Sequence, residues 1–190
     1  MITDPNKTEF TLNNSQTNKK LLFYIGPFVL LLSIPYLVFW NDNILENIKD
    51  ILIAKVYITL PVIIAGIIIH ELLHGMVWAV FVKGGIKSIK FGFSKNNFTP
   101  YCHCKVPIKL KYYICGGIMP ALILGILPMI ISWFNGNTAM FLFGVVFCLA
   151  AGSDILICLM LRRINPDIFI QDFHDKPGCY IVEDAKDTKG

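Results

Sequence analysis

The chain has 190 residues, 55% of them hydrophobic and only 16% charged, with a mean hydropathy of +0.60. A water-soluble domain carries about a quarter charged residues, so composition excludes an ordinary soluble fold and points to one integral membrane domain. The net charge of +4 gathers at helix ends, which fits membrane orientation and not a nucleic-acid surface.

Residues 1–20 are polar and read as a loosely ordered cytosolic tail. Residues 21–40 are apolar throughout and about one bilayer crossing long. They make a poor secretory signal, because the run is too long and no small-x-small site follows. Residues 41–55 form a polar, amphipathic connector. The second span, residues 56–82, carries Pro61 near its start, where a kink is tolerated. Residues 83–111 form a basic loop. The third span, 112–134, holds Pro120 and Pro128. Asn135-Gly136-Asn137 predicts a tight turn into the fourth span, 138–161. Residues 162–190 form a second polar tail. The six cysteines show no CxxC pair, which argues against a disulfide framework.

Basic residues set the expected orientation. Lys7, Lys19 and Lys20 lie in the first tail. Lys83, Lys87, Lys90, Lys95, Lys105, Lys109 and Lys111 lie in the loop, and Arg162-Arg163 opens the second tail. The turn between spans three and four has none. The expected fold is an all-α protein of the cell membrane with four transmembrane helices. Both termini are then cytosolic, with a cytosolic amphipathic β-hairpin between helices two and three.

The second span holds His70-Glu71-Leu72-Leu73-His74 inside an unbroken apolar run. Ionisable groups within lipid are costly and need partners. Imidazoles four residues apart on a helix share a face and can hold one divalent cation. His74 lies nine residues before Lys83, and Asp154 lies eight before Arg162. At about 1.5 Å per residue both are roughly 12–13 Å below the same membrane face. Asp154 and Glu71 are the only acids in the four spans, and no Lys or Arg lies inside any span. His70, His74 and Asp154 therefore make a candidate zinc site. Three protein ligands leave one position for water, and Glu71 stands as general base. Iron, manganese or cobalt suit the same donors. The small residues Ala150-Ala151-Gly152-Ser153 offer close helix contact, with Gly66 as a receiving surface.

The motif His70-Glu71-Leu72-Leu73-His74-Gly75, followed in a later helix by Gly152-Ser153-Asp154-Ile155, resembles the "putative zincin peptidase" family of small bacterial membrane proteins. That family is similar in layout to the site-2 type of intramembrane metalloprotease. The resemblance implies zinc on His70, His74 and Asp154, with Glu71 as base. The aspartate here sits in Gly-Ser-Asp-Ile, where site-2 proteases usually have Leu-Asp-Gly.

In the loop, Ile89, Phe91 and Phe93 alternate with polar residues. A second alternation puts Cys102, Cys104, Val106, Ile108 and Leu110 on one face and Tyr101, His103, Lys105, Pro107 and Lys109 on the other. This predicts a hairpin turning at Asn96-Asn97, either a plain anchor or an edge for an added substrate strand. Alternation points His103 away from both flanking thiols, against a Cys-His-Cys metal site. His174 reads as a solvated tail residue.

The function expected is intramembrane zinc proteolysis of a membrane-embedded protein or peptide near the cytosolic face. The partners are that substrate and the lipid bilayer, with no nucleic acid, and the four-helix bundle is small enough to form a homo-oligomer. The rival is a non-catalytic metal-binding membrane protein, an accessory or immunity-type factor. A metal transporter fits less well, because the ionisable groups lie at one depth only.

Overall fold

The structure is a computed structural model describing residues 9–11, 14–94, 99–173 and 178–182. The Asn96-Asn97 turn and His174 lie outside the described residues. In chain order the elements are β1 (Glu9–Thr11), α1 (Asn14–Phe39), α2 (Ile44–Lys49), α3 (Val56–Phe81), β2 (Ile89–Ser94), β3 (Thr99–Cys104), β4 (Ile108–Lys109), α4 (Leu110–Pro120), α5 (Leu127–Asn135), α6 (Thr138–Ala150), α7 (Gly152–Leu161), β5 (Phe169–Asp172) and β6 (Gly178–Ile181). A π-helical segment, Ala121–Ile126, carries α4 into α5.

Three helices are long and apolar enough to cross a membrane: Lys20–Phe39, Val56–Phe81 and Leu110–Asn135. The fourth expected span is not one straight rod. Helices α6 and α7 pass the same test only as a pair, bent by 45°. The break falls at Ala151, whose ψ of 1° leaves the helical range. The small residues expected to provide close contact here sit at the bend. Gly152 faces Leu21 of α1, and Gly66 of α3 receives Phe147 of α6. Gly66 is thus a contact for α6 and not for the stretch ahead of Asp154.

The turn between α5 and α6 follows its sequence. Gly136 ends α5 at φ +67°, a conformation costly for residues with a Cβ. The Asn137 side chain accepts the Met140 N–H and caps α6. Helix α1 is fastened to this end of the molecule. Tyr36 is fully buried and stacks on Phe141 at 4.1 Å. Its hydroxyl lies 3.1 Å from the Gly136 carbonyl and 3.0 Å from Thr138 Oγ1.

The opposite end carries the strands. β2 and β3 form the expected antiparallel hairpin, pairing Phe91 with Cys102 and Lys90 with His103. A second sheet has the order β1-β6-β5-β4. It draws residues 9–11, the end of the basic loop, residues 169–172 and residues 178–181 into one sheet. The first tail was expected to be loose, and no strand was expected in the second. Their described parts instead pair Phe10 with Cys179 and Ile108 with Ile170. Strands of two to four residues are too short for alternation to reveal them. A buried cluster including Trp78, Ile89, Cys104, Leu110, Tyr113, Leu161 and Ile170 joins α3, the hairpin, α4, α7 and this sheet into one core.

Candidate metal centre

Helix α3 exposes most of its surface, as a lipid-facing helix does; Tyr57 is 71% and Val80 72% exposed. Its buried residues include Gly66, His70, His74 and Trp78, each four residues from the next. An i, i+4 series forms one stripe along a helix. The polar stripe therefore faces inward, and the uniform apolar surface faces out.

Asp154 is the third residue of α7, in its first turn, where backbone N–H groups favour a carboxylate. The bend at Ala151 starts this new helix just ahead of it. Its Oδ2 lies 3.3 Å from His70 Nε2 and 3.6 Å from His74 Nε2. The three potential ligand atoms lie within 4.8 Å of one another. The sequence-derived trio is thus brought together across α3 and α7.

The imidazoles are held from behind. His74 Nδ1 donates to the Gly116 carbonyl of α4 at 2.9 Å, which places the proton on Nδ1 and leaves the Nε2 lone pair toward Asp154. His74 stacks on Trp78 at 5.4 Å between centroids, and Trp78 stacks on Tyr113 at 5.2 Å. Gly116 has no room for a Cβ, which would run into the Trp78 indole. His70 Nδ1 is buried with no hydrogen-bond partner among the described residues.

Glu71 points elsewhere. One residue on from His70 it sits about 100° around the helix, half-buried, on the side facing the hairpin. Strand β3 packs beside it, with the Cys102 backbone N–H turned toward its carboxylate. The hairpin reaches this position because Phe91 packs on Gly75, another glycine without space for a Cβ. Both faces of β3 are covered at its end. Cys104 is fully buried, and so is His103, whose Nδ1 lies 3.1 Å from Asp172 Oδ2 of β5. The expectation of a polar outer face at His103 fails because β5 packs there. Burial, with Glu71 and Asp172 nearby, pushes the Cys102 thiol well above its ordinary value. Burial likewise pushes Cys104 up to about 11. Both thiols stay protonated near neutrality, which counts against a Cys-His-Cys metal site.

The sequence matches the family described as "Putative zincin peptidase" over residues 63–169. The chain belongs to this family. The matched stretch runs from α3 ahead of the histidine pair to the first residue of β5, and so takes in the whole trio, Glu71 and the hairpin. No curated protein and no solved structure matches the chain.

A zincin peptidase implies zinc, and the donors fit it. Zinc bonds of about 2.0–2.1 Å place neighbouring tetrahedral ligands about 3.4 Å apart. The two histidine–aspartate separations of 3.3 and 3.6 Å straddle that edge. Two imidazole nitrogens and one carboxylate are a zinc donor set that leaves a fourth position open. The orphaned His70 Nδ1 agrees, since the ring forgoes one hydrogen bond while its other nitrogen is held at the cluster.

Sequence reasoning missed Trp78, Gly116, Tyr113 and Asp172. Trp78 had a readable signal, extending the His70/His74 stripe by one more turn. Asp172 had none, because its role depends on strands paired across the whole chain.

Proposed function

We propose that the protein is an intramembrane zinc metallopeptidase that hydrolyses a peptide bond of a membrane-embedded substrate near the face carrying the hairpin. His70, His74 and Asp154 hold the metal, and Glu71 is the general base. The observation that carries this reading is the convergence of the Asp154 carboxylate on both imidazoles, at the spacing of zinc ligands.

Bound zinc supplies Lewis acidity to the scissile carbonyl and to the attacking water. Glu71 takes the proton from that water at its carboxylate as the C–O bond forms, then gives it to the leaving nitrogen as the C–N bond breaks. The Cys102 N–H, on the strand packed beside Glu71, is the donor that would orient the carboxylate. His74 is kept in one tautomer by Gly116. The hairpin beside Glu71 offers backbone groups for an extended substrate segment, which must leave the helical state before its peptide bond can be reached.

In this reading α6 and α7 make one broken crossing, giving four in all. The face bearing β1, the hairpin and the β1-β6-β5-β4 sheet is cytosolic, as the Lys and Arg bias of the loop and tails favours.

The test is Glu71→Gln in purified, zinc-loaded protein. Zinc content stays at the parent level while peptide hydrolysis falls by roughly 100-fold or more. Parent-level cleavage by the variant removes Glu71 as base. Zinc bound equally well by the parent and by Asp154→Ala removes the metal site.

A further inference from the structure

Asp172 lies on β5, beyond the family-matched residues, yet two other elements, β3 and α4, converge on it. Its Oδ2 is 3.1 Å from His103 Nδ1 and 3.4 Å from the Cys104 N–H, both on β3. Its Oδ1 accepts the Tyr113 hydroxyl of α4 at 3.2 Å. The neighbouring Gln171 side chain donates to the Cys104 carbonyl at 2.6 Å. Asp172, His103 and Tyr113 are 8%, 8% and 5% exposed. A carboxylate kept this far from water is retained only where several donors need it. Burial raises its pKa even against those donors.

Two lines of contact run from this carboxylate to the proposed site. Along β3, His103 and Cys104 adjoin Cys102, whose N–H is turned toward Glu71 on the helix that β3 packs against. Through α4, Tyr113 stacks on Trp78, which stacks on His74, and Trp78 Nε1 donates to the Tyr113 carbonyl at 3.2 Å. The base is positioned from one side and a ligand from the other, by a single group on the C-terminal segment.

We propose that Asp172 is a positioning residue for Glu71, holding β3 so that the Cys102 N–H stays aimed at the base. The proposal rests on the metallopeptidase reading for its catalytic consequence, but not for the brace itself. An amide in place of the carboxylate offers one acceptor oxygen to three donors and turns its NH2 toward at least one of them. In Asp172→Asn, strand β3 should loosen while the ligands remain.

The experiment compares the full-length, zinc-loaded parent with Asp172→Asn and with Tyr113→Phe, which removes one donor and keeps the carboxylate. Three quantities are read: zinc per chain, amide hydrogen exchange over residues 99–104, and kcat and KM for a peptide substrate. Asp172→Asn should keep its zinc, exchange β3 amides about tenfold faster or more, and lose roughly 10- to 100-fold in kcat with KM within about twofold, the scale seen when outer partners of a site are removed. Tyr113→Phe should shift in the same direction by a smaller factor. Unchanged β3 exchange in Asp172→Asn overturns the brace, whatever the activity. Loss of zinc together with activity in both variants makes Asp172 a general support of the fold and also overturns it. Faster exchange alongside a parent that cleaves no peptide overturns the peptidase reading and leaves the brace standing.

Discussion

Asp154 Oδ2 and His70 Nε2 lie 3.3 Å apart although 84 residues separate them in the chain. One sits in the first turn of α7 and the other in the second half of α3. No local rule brings them together. Their like distances in residues from the basic ends of two apolar stretches make the meeting expected, and the bend at Ala151 makes it geometrically direct.

That contact gives the first prediction. Asp154→Ala should lose the third ligand and lower zinc affinity by more than about 100-fold, above the range for outer-shell partners. Metal analysis after dialysis against a weak chelator reads the loss. Asp154→Asn should fall between parent and Ala, since an amide oxygen still donates but carries no charge.

Gly116 gives the second. Its carbonyl orients His74, and a Cβ there would meet the Trp78 indole. Gly116→Ala should push Trp78 and the stacked His74 ring off their positions. Zinc affinity should drop about 10- to 100-fold, and stability should fall by about 1–3 kcal/mol from overpacking. Gly26, whose nearest neighbour for an added Cβ is Leu22 at 3.7 Å, is the control; Gly26→Ala should leave zinc binding unchanged.

A third prediction concerns pH. The Cys102 thiol is raised by burial and by the nearby Glu71 and Asp172 carboxylates. The thiolate is the reactive form, and below the pKa its fraction grows tenfold per pH unit. An ordinary thiol stops gaining near pH of about 8.5. Alkylation at Cys102, mapped by mass spectrometry, should be slow at pH 8 and still climbing at pH 10. In Glu71→Gln one neighbouring negative charge is gone, so the pKa falls and labelling at a given pH should speed up. Identical rates in parent and variant would separate Glu71 from the hairpin.

The fourth prediction isolates the other end of the molecule. Tyr36→Phe removes the hydroxyl that reaches Gly136 and Thr138 while keeping the stack on Phe141. The loss should be about 0.5–1.5 kcal/mol, read by thermal unfolding in detergent, with zinc content unchanged.

Much of the site was legible because it depends on short-range rules. The four-residue spacing of His70 and His74 fixes a shared face on any helix, and the Gly136 turn and Asn137 cap follow from local chemistry. The hairpin was legible from alternation in 89–94 and 101–110, although β3 stops at Cys104 and Ile108–Lys109 pairs with β5 instead. The burial of His103 was not, because the carboxylate that covers it comes from β5, 69 residues away.

The amino-acid order by itself determined a helix-rich chain with apolar stretches of membrane length, a histidine pair on one helix face and one lone acid at a like distance from a basic helix end, since apolar length and helical periodicity act over a few neighbouring residues. Tertiary structure alone decided that the fourth apolar stretch breaks by 45° at Ala151, that Glu9–Thr11 pairs with Gly178–Ile181, and that Asp172 gathers His103, Cys104 and Tyr113. These outcomes depend on strands of a few residues and one buried carboxylate finding partners far along the chain, and a strand that short acquires its meaning only from the backbone it pairs with.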